Sequence, residues 1–140
     1  MNPKREDIIE KVKHWVEIAE EDLHLAKFAL TMTSNVPYRL IAFHAQQSAE
    51  KYIKALLVYY RIDFPYTHDI AKLLSLCPKE LELFKKLEKA GDLTDYAVSK
   101  RYPDYYDKLS KKVTVDAIEL AELVKQTIND HLVKEGLSFS

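Results

Sequence analysis

Residues 39–60 constrain this chain more than any other stretch. Arg39-Leu-Ile-Ala-Phe-His44-Ala-Gln-Gln47-Ser-Ala-Glu50-Lys51-Tyr-Ile-Lys54-Ala55 carries no glycine or proline and reads as one helix with two unlike faces. At roughly 100° per residue, Ile41, Ala42, Ala45, Ala49, Tyr52, Ile53, Leu56 and Tyr60 fall on one broad apolar stripe. His44, Gln47, Ser48 and Lys51 fall on the other side, flanked by Leu40, Ala55 and Val58. A helix whose second face met only solvent would be polar throughout there. Mixed as it is, this face suits a second packing surface or a binding cleft.

The rest of the chain follows the same helical habit. Only two glycines occur in 140 residues, and the chain is rich in Ala, Leu, Lys and Glu. That length fits a single domain over residues 1–140, with its core at about 8–134, and needs no staple. No apolar run approaches the ~20 residues that span a bilayer. The opening Met-Asn-Pro-Lys-Arg-Glu-Asp lacks the apolar centre of a signal peptide, so the cytoplasm is the expected location. A single cysteine, Cys77, leaves no internal disulfide and no cysteine-based zinc cluster.

Net charge is −1 but unevenly spread. Residues 1–31 carry −2, residues 32–61 carry +3, residues 99–112 carry +3 and residues 113–140 carry −3. Two basic segments brought together would attract a phosphate or an acidic partner. Solvated helix surface explains them as well. The whole chain lacks the basic excess of a dedicated nucleic-acid binder.

Punctuation divides the chain into helices. A first helix is expected from Pro3 to Met32, capped by Asn2, with Ile8, Val12, Trp15, Ala19, Leu23, Ala26 and Leu30 buried. Asp22 falls close to that stripe and needs a partner from another helix if buried. A second helix covers Tyr38 to Arg61. Thr67 is expected to cap a short helix starting at His68-Asp69, and another covers Lys79 to Lys89, with Gly91 as its stop. Leu93 to Val98 suits a further helical piece. Tyr102 precedes proline, so residues 100–104 leave helix. A last helix runs from Val113 to Lys134 on a stripe of Val113, Ala117, Leu120, Val124 and Ile128, and the tail to Ser140 is expected to fray. The result is an all-α, antiparallel bundle of four to five helices.

Several chemistries lack their residues. With glycines only at 91 and 136 there is no phosphate loop, and no Gly-x-Ser-x-Gly elbow occurs. The five histidines, at 14, 24, 44, 68 and 131, form no metal-binding pair, and no cofactor is implied. His44 suits a general base, a phosphate contact or a packed interface histidine. Gln47 lies a turn away and Lys51 a further turn on, making a compact polar strip. Lys51 and Lys54 also read as exposed lysines paired with Glu50. His68 stands where a helix begins and could meet an anion or serve local capping. Arg101 could grip a phosphate or carboxylate with two donors, or pair with Asp104. Tyr102, Tyr105 and Tyr106 offer stacking surface or fill gaps between helices.

In order, four blocks resemble the HEPN family, the "higher eukaryotes and prokaryotes nucleotide-binding" domain. They are Trp15-x-x-x-Ala19-x-x-Asp22-Leu23-x-x-Ala26, then His44-Ala-Gln-Gln47-x-Ala-Glu50-Lys51-x-x-Lys54-Ala55-Leu56, then Thr67-His68-Asp69-Ile70-x-x-Leu73, then Arg101-Tyr102-Pro103. The likeness covers residues 8–130. It implies a helical bundle, usually a homodimer, like the substrate-binding domain of kanamycin-type nucleotidyltransferases. It implies a stand-alone module that binds a nucleotide or anionic substrate beside a separate minimal nucleotidyltransferase. His44, Gln47, Lys51, His68 and Arg101 would form its ligand cleft. Some members are instead metal-independent endoribonuclease toxins of toxin–antitoxin pairs, with an Arg-x(4–6)-His motif that Arg39 and His44 match in spacing. Within one helix those two residues stand about 140° apart. A purely structural interaction module is the third reading.

Overall fold

The computed structural model describes residues 4–97 and 109–139. Among the described residues five α-helices carry the fold: α1 (Arg5–Ala29), α2 (Tyr38–Tyr59), α3 (Ile70–Leu76), α4 (Leu83–Leu87) and α5 (Lys111–Lys134). Among the described residues there is no strand. None of these helices is long and apolar enough to cross a membrane.

Cross-helix contacts set the directions. Arg5 lies over the Tyr59 ring, while Asp22 reaches His44, so α1 runs antiparallel to α2. Glu20 holds both Tyr52 of α2 and Lys125 of α5, and Tyr60 holds His131, so α5 runs alongside α2 in the same direction. Ile8, Val12, Val16, Ala19, Leu23 and Ala26 form the buried seam of α1. Val16 takes the place expected for Trp15, and Trp15 and Leu30 sit at the rim. Truncating fully buried Leu23 to Ala would cost about 2–5 kcal/mol.

α2 is the hub. Tyr52 to Leu57 are all buried, and six consecutive residues go more than once around a helix. Ser48 and Ala55, expected on an outer face, are fully buried because α3 and the turns after it cover that side. Tyr60, expected in the stripe, is only partly buried. Of the apolar residues flanking the strip, Leu40 is 53% exposed and Val58 is half-buried.

Helix ends depart from expectation for local reasons. α1 stops at Ala29, where Thr31 Oγ1 donates to the Phe28 carbonyl, and the chain turns at left-handed Asn35. α2 stops at Tyr59: Arg61 adopts φ 58, its N–H bonds the Val58 carbonyl and that of Ile62 bonds Leu57. This is a Schellman ending with arginine in the seat usually given to glycine. Asp69, not Thr67, caps α3 by accepting from the Lys72 N–H at 3.2 Å, while Thr67 braces the Asp69 N–H. The expected helix at 79–89 is broken by Glu82 at φ 53, leaving a 3-10 turn at Lys79–Leu81 before α4. Gly91 stops nothing; it lies inside a 3-10 helix spanning Glu88–Tyr96, which absorbs the piece expected at Leu93.

α5 starts at Lys111, two residues before the expected Val113, because Ser110 accepts from the Val113 N–H at 3.2 Å. Its seam adds Thr114, Ile118, Ala121 and Leu132, while Val113 and Leu120 sit at the rim. Gly136, at φ 104, makes the second Schellman ending. It folds Leu137 back into the core, so the tail is docked rather than frayed as far as Phe139.

Candidate functional site

Asp22 of α1 is shared by two residues of α2. Its Oδ1 accepts from His44 Nδ1 at 2.9 Å and its Oδ2 from Lys51 Nζ at 2.6 Å. His44 and Lys51 are seven residues apart, two helical turns, so one carboxylate opposite can bridge them. Side-chain exposures of 13%, 22% and 21% for Asp22, His44 and Lys51 keep the group at the surface yet partly shielded. With Nδ1–H donated to Asp22, neutral His44 keeps its lone pair on Nε2. Phe43 meets the His44 ring edge-on at 5.4 Å.

A second, deeper cluster centres on Glu50, which is 3% exposed. Its Oε2 accepts from Lys54 Nζ at 2.8 Å; its Oε1 accepts from His68 Nδ1 at 2.8 Å and from Gln46 Nε2 at 3.0 Å. Gln46 also donates to the His68 carbonyl at 3.3 Å. Gln47 donates to Gln46 Oε1 at 2.6 Å, so it belongs to this chain of bonds rather than to His44. The Lys54 ammonium lies 5.8 Å from the Trp15 ring centre and 5.5 Å from that of Phe64, which replace part of its lost hydration. Burial pushes the Glu50 carboxyl up, but the bonds from Lys54, Gln46 and His68 outweigh it and hold it below the usual range.

Asp22, a group that the sequence marks as needing a partner, finds two in His44 and Lys51. Lys54, expected to be exposed, is buried and paired. Glu50 and Gln46 were not expected as buried polar groups. Their spacing of four, continued by Lys54, was the available signal for a third polar line along α2. Arg39 lies in the first turn of α2. Arg101, Tyr102 and Pro103 lie outside the described residues. Cys77 is buried and its thiol is pushed up to about 12 by burial, which removes it as a nucleophile. Among the described residues no group of three or more His, Cys, Asp or Glu could hold a metal ion.

The HEPN domain family matches residues 12–131. The chain belongs to the HEPN family. Two solved structures resemble this HEPN chain along most of its length. TT1696 from Thermus thermophilus is 25% identical, with a TM-score of 0.74, covering 86% of this chain and 97% of that one. ST0689, an archaeal HEPN homologue, is 27% identical, with a TM-score of 0.66, covering 86% and 96%. Comparison with curated proteins gave no match. In this HEPN chain the helix 2 block and the Thr67-His68-Asp69 block meet at His68, whose ring bonds Glu50 and whose carbonyl accepts from Gln46.

Proposed function

We propose that this HEPN protein binds a nucleotide or another anionic substrate and serves a separate minimal nucleotidyltransferase. The observation that carries the reading is the shared carboxylate. Asp22 fixes the His44 ring and the Lys51 ammonium side by side on one face of α2. Protonated His44 donates from Nε2, and the trio then bears one net positive charge beside the ligand. Its partial exposure suits a group that meets ligand and solvent by turns. His68 and Gln47 are the adjoining polar candidates, and Arg101 is the candidate cation from the basic segment at 99–112. Calorimetric titration with ATP, GTP and a dinucleotide tests it, with and without a minimal nucleotidyltransferase added as partner. Binding that His44→Ala weakens at least tenfold is expected. No heat at millimolar ligand in either setting removes the reading.

The Asp22–His44 contact also favours a second reading, metal-independent endoribonuclease. A carboxylate on Nδ1 leaves Nε2 to take and return a proton, and Arg39 would steady a phosphate. RNA cleavage in EDTA that disappears in His44→Ala would establish it in place of the first.

Either role is helped by a homodimer, which sets two clefts near each other. Leu40 remains as an exposed apolar contact residue on α2, while Val58 lines a separate cleft and Ala55 drops out because it is packed inside the protomer. Light scattering at micromolar concentration should give twice the 16.3 kDa chain mass. A mass of one chain removes the dimer.

A further inference from the structure

A cleft of about 710 Å³ opens at the far end of α2, between the start of α1 and the link that follows Tyr60. Arg61 lies 17 positions beyond His44, roughly 25 Å along the axis at 1.5 Å per residue. It is therefore a place distinct from the Asp22 trio. Its apolar walls are Ile8, Val58, Ile62 and Phe64. Its polar groups are Lys11, Arg61 and Asp63, two cations and one carboxylate. None of these three side chains makes a hydrogen bond or ion pair among the described residues. All three are exposed, so the hollow presents two cations and one carboxylate to solvent.

We propose that this cleft binds a small aromatic anion: a flat ring carrying one phosphate or comparable acid group. The size falls within the range of ligand pockets, and the mixture of apolar wall with few polar groups is what such pockets present. Two cations against Asp63 leave one net positive charge, and low-dielectric walls focus its field on the hollow. Arg61 supplies paired donors that fit a phosphate or carboxylate edge. Phe64 gives the body a ring to stack on. The neighbouring hollow along α1 shares Lys11 and adds Lys13 and His14, but Asp7, Glu10 and Glu17 outnumber its two lysines and disfavour an anion. The acid group therefore belongs at the Arg61 end.

Arg61 adds an independent observation. It sits at φ 58, a left-handed conformation that glycine occupies without steric cost. Helix termination alone would be served as well or better by glycine. The side chain is the part that the ending does not need, and it lines the cleft.

A reporter is built in. Trp15 is the only tryptophan, and its ring meets Phe64 edge-on with centroids 6.3 Å apart. Titration of the full chain with phenyl phosphate, inorganic phosphate and phenol, read by Trp15 fluorescence and amide NMR shifts, tests the proposal. Phenyl phosphate is expected to saturate at millimolar concentration or below, shifting residues 8–11 and 58–64. Inorganic phosphate and phenol should each bind at least tenfold more weakly. Arg61→Gly should keep the melting temperature or raise it while weakening phenyl phosphate at least tenfold. Phenyl phosphate no tighter than phosphate alone, an Arg61→Gly variant that titrates like the parent, or shifts centred on His44 would each overturn it.

Discussion

Asp22 Oδ1 and His44 Nδ1 stand 2.9 Å apart across the α1–α2 interface, and the same carboxylate holds Lys51. Asn at position 22 could accept one bond but would leave the Lys51 ammonium without a counter-charge. Asp22→Asn is expected to cost about 1.5–3 kcal/mol in chemical denaturation, the range for a hydrogen bond to a charged group. It should also weaken nucleotide binding as much as His44→Ala does. Intact binding in Asp22→Asn would detach His44 orientation from ligand affinity.

Glu50 is more costly to change. Removing its charge leaves the Lys54 ammonium buried and unpaired, which typically costs about 3–5 kcal/mol. Glu50→Gln should lower the denaturant midpoint accordingly, and paired Glu50→Gln with Lys54→Met should recover a large part of the loss.

The same carboxyl sets an acid limit. Its folded value lies below its ordinary 4.5, so the folded state binds fewer protons than the unfolded chain in that window. Its stabilisation is complete above about pH 4.5 and is lost as pH falls through the lower folded value. Glu20 acts in the same direction: burial raises its carboxyl, but bonds from Lys125 and Tyr52 outweigh that and hold it down. Stability curves from about pH 6 to about pH 3 should slope downward, and less steeply in Glu50→Gln.

Arg61→Gly is expected to stabilise the fold by about 0.5–1 kcal/mol, because glycine has no Cβ to clash in the left-handed seat. Thermal or urea unfolding measures it. A destabilised variant would mean that the arginine side chain packs usefully against the α2 terminus.

Cys77 should be inert in the folded protein. It is 5% exposed, and burial pushes its thiol up to about 12. A disulfide reagent at about pH 8 should modify it only at the rate of unfolding, and quickly in urea. Rapid reaction under native conditions would show that the loop at Pro78 opens locally.

Helix count and the α1–α2–α5 seam were legible because they depend on local periodicity. Ile8, Val12, Ala19, Leu23 and Ala26 recur at spacings of three, four and seven, and any helix with that pattern must cover them. The need of Asp22 for a partner was legible for the same reason, since its angular position abuts the seam. Glu50 and Lys54 were not. An i,i+4 acid–base pair looks alike on a solvated face and in a core, and only His68, Trp15 and Phe64, arriving from distant segments, distinguish the two. The break at Glu82 was hidden too, because nothing in a run of Leu, Lys and Glu announces one left-handed residue.

The all-round covering of α2 bears on how the molecule comes apart. Amides of Tyr52 to Leu57 have no route to water that leaves the other helices in place, since α1, α5 and the α3 side each shield part of the turn. Their deuterium uptake should report only whole-molecule opening, at the full free energy of unfolding. The 3-10 stretch from Glu88 to Tyr96, with its weaker bond geometry, should take up label through smaller openings that leave α2 untouched. A slow centre and a fast flank in one exchange profile would mark α2 as the last element to let go.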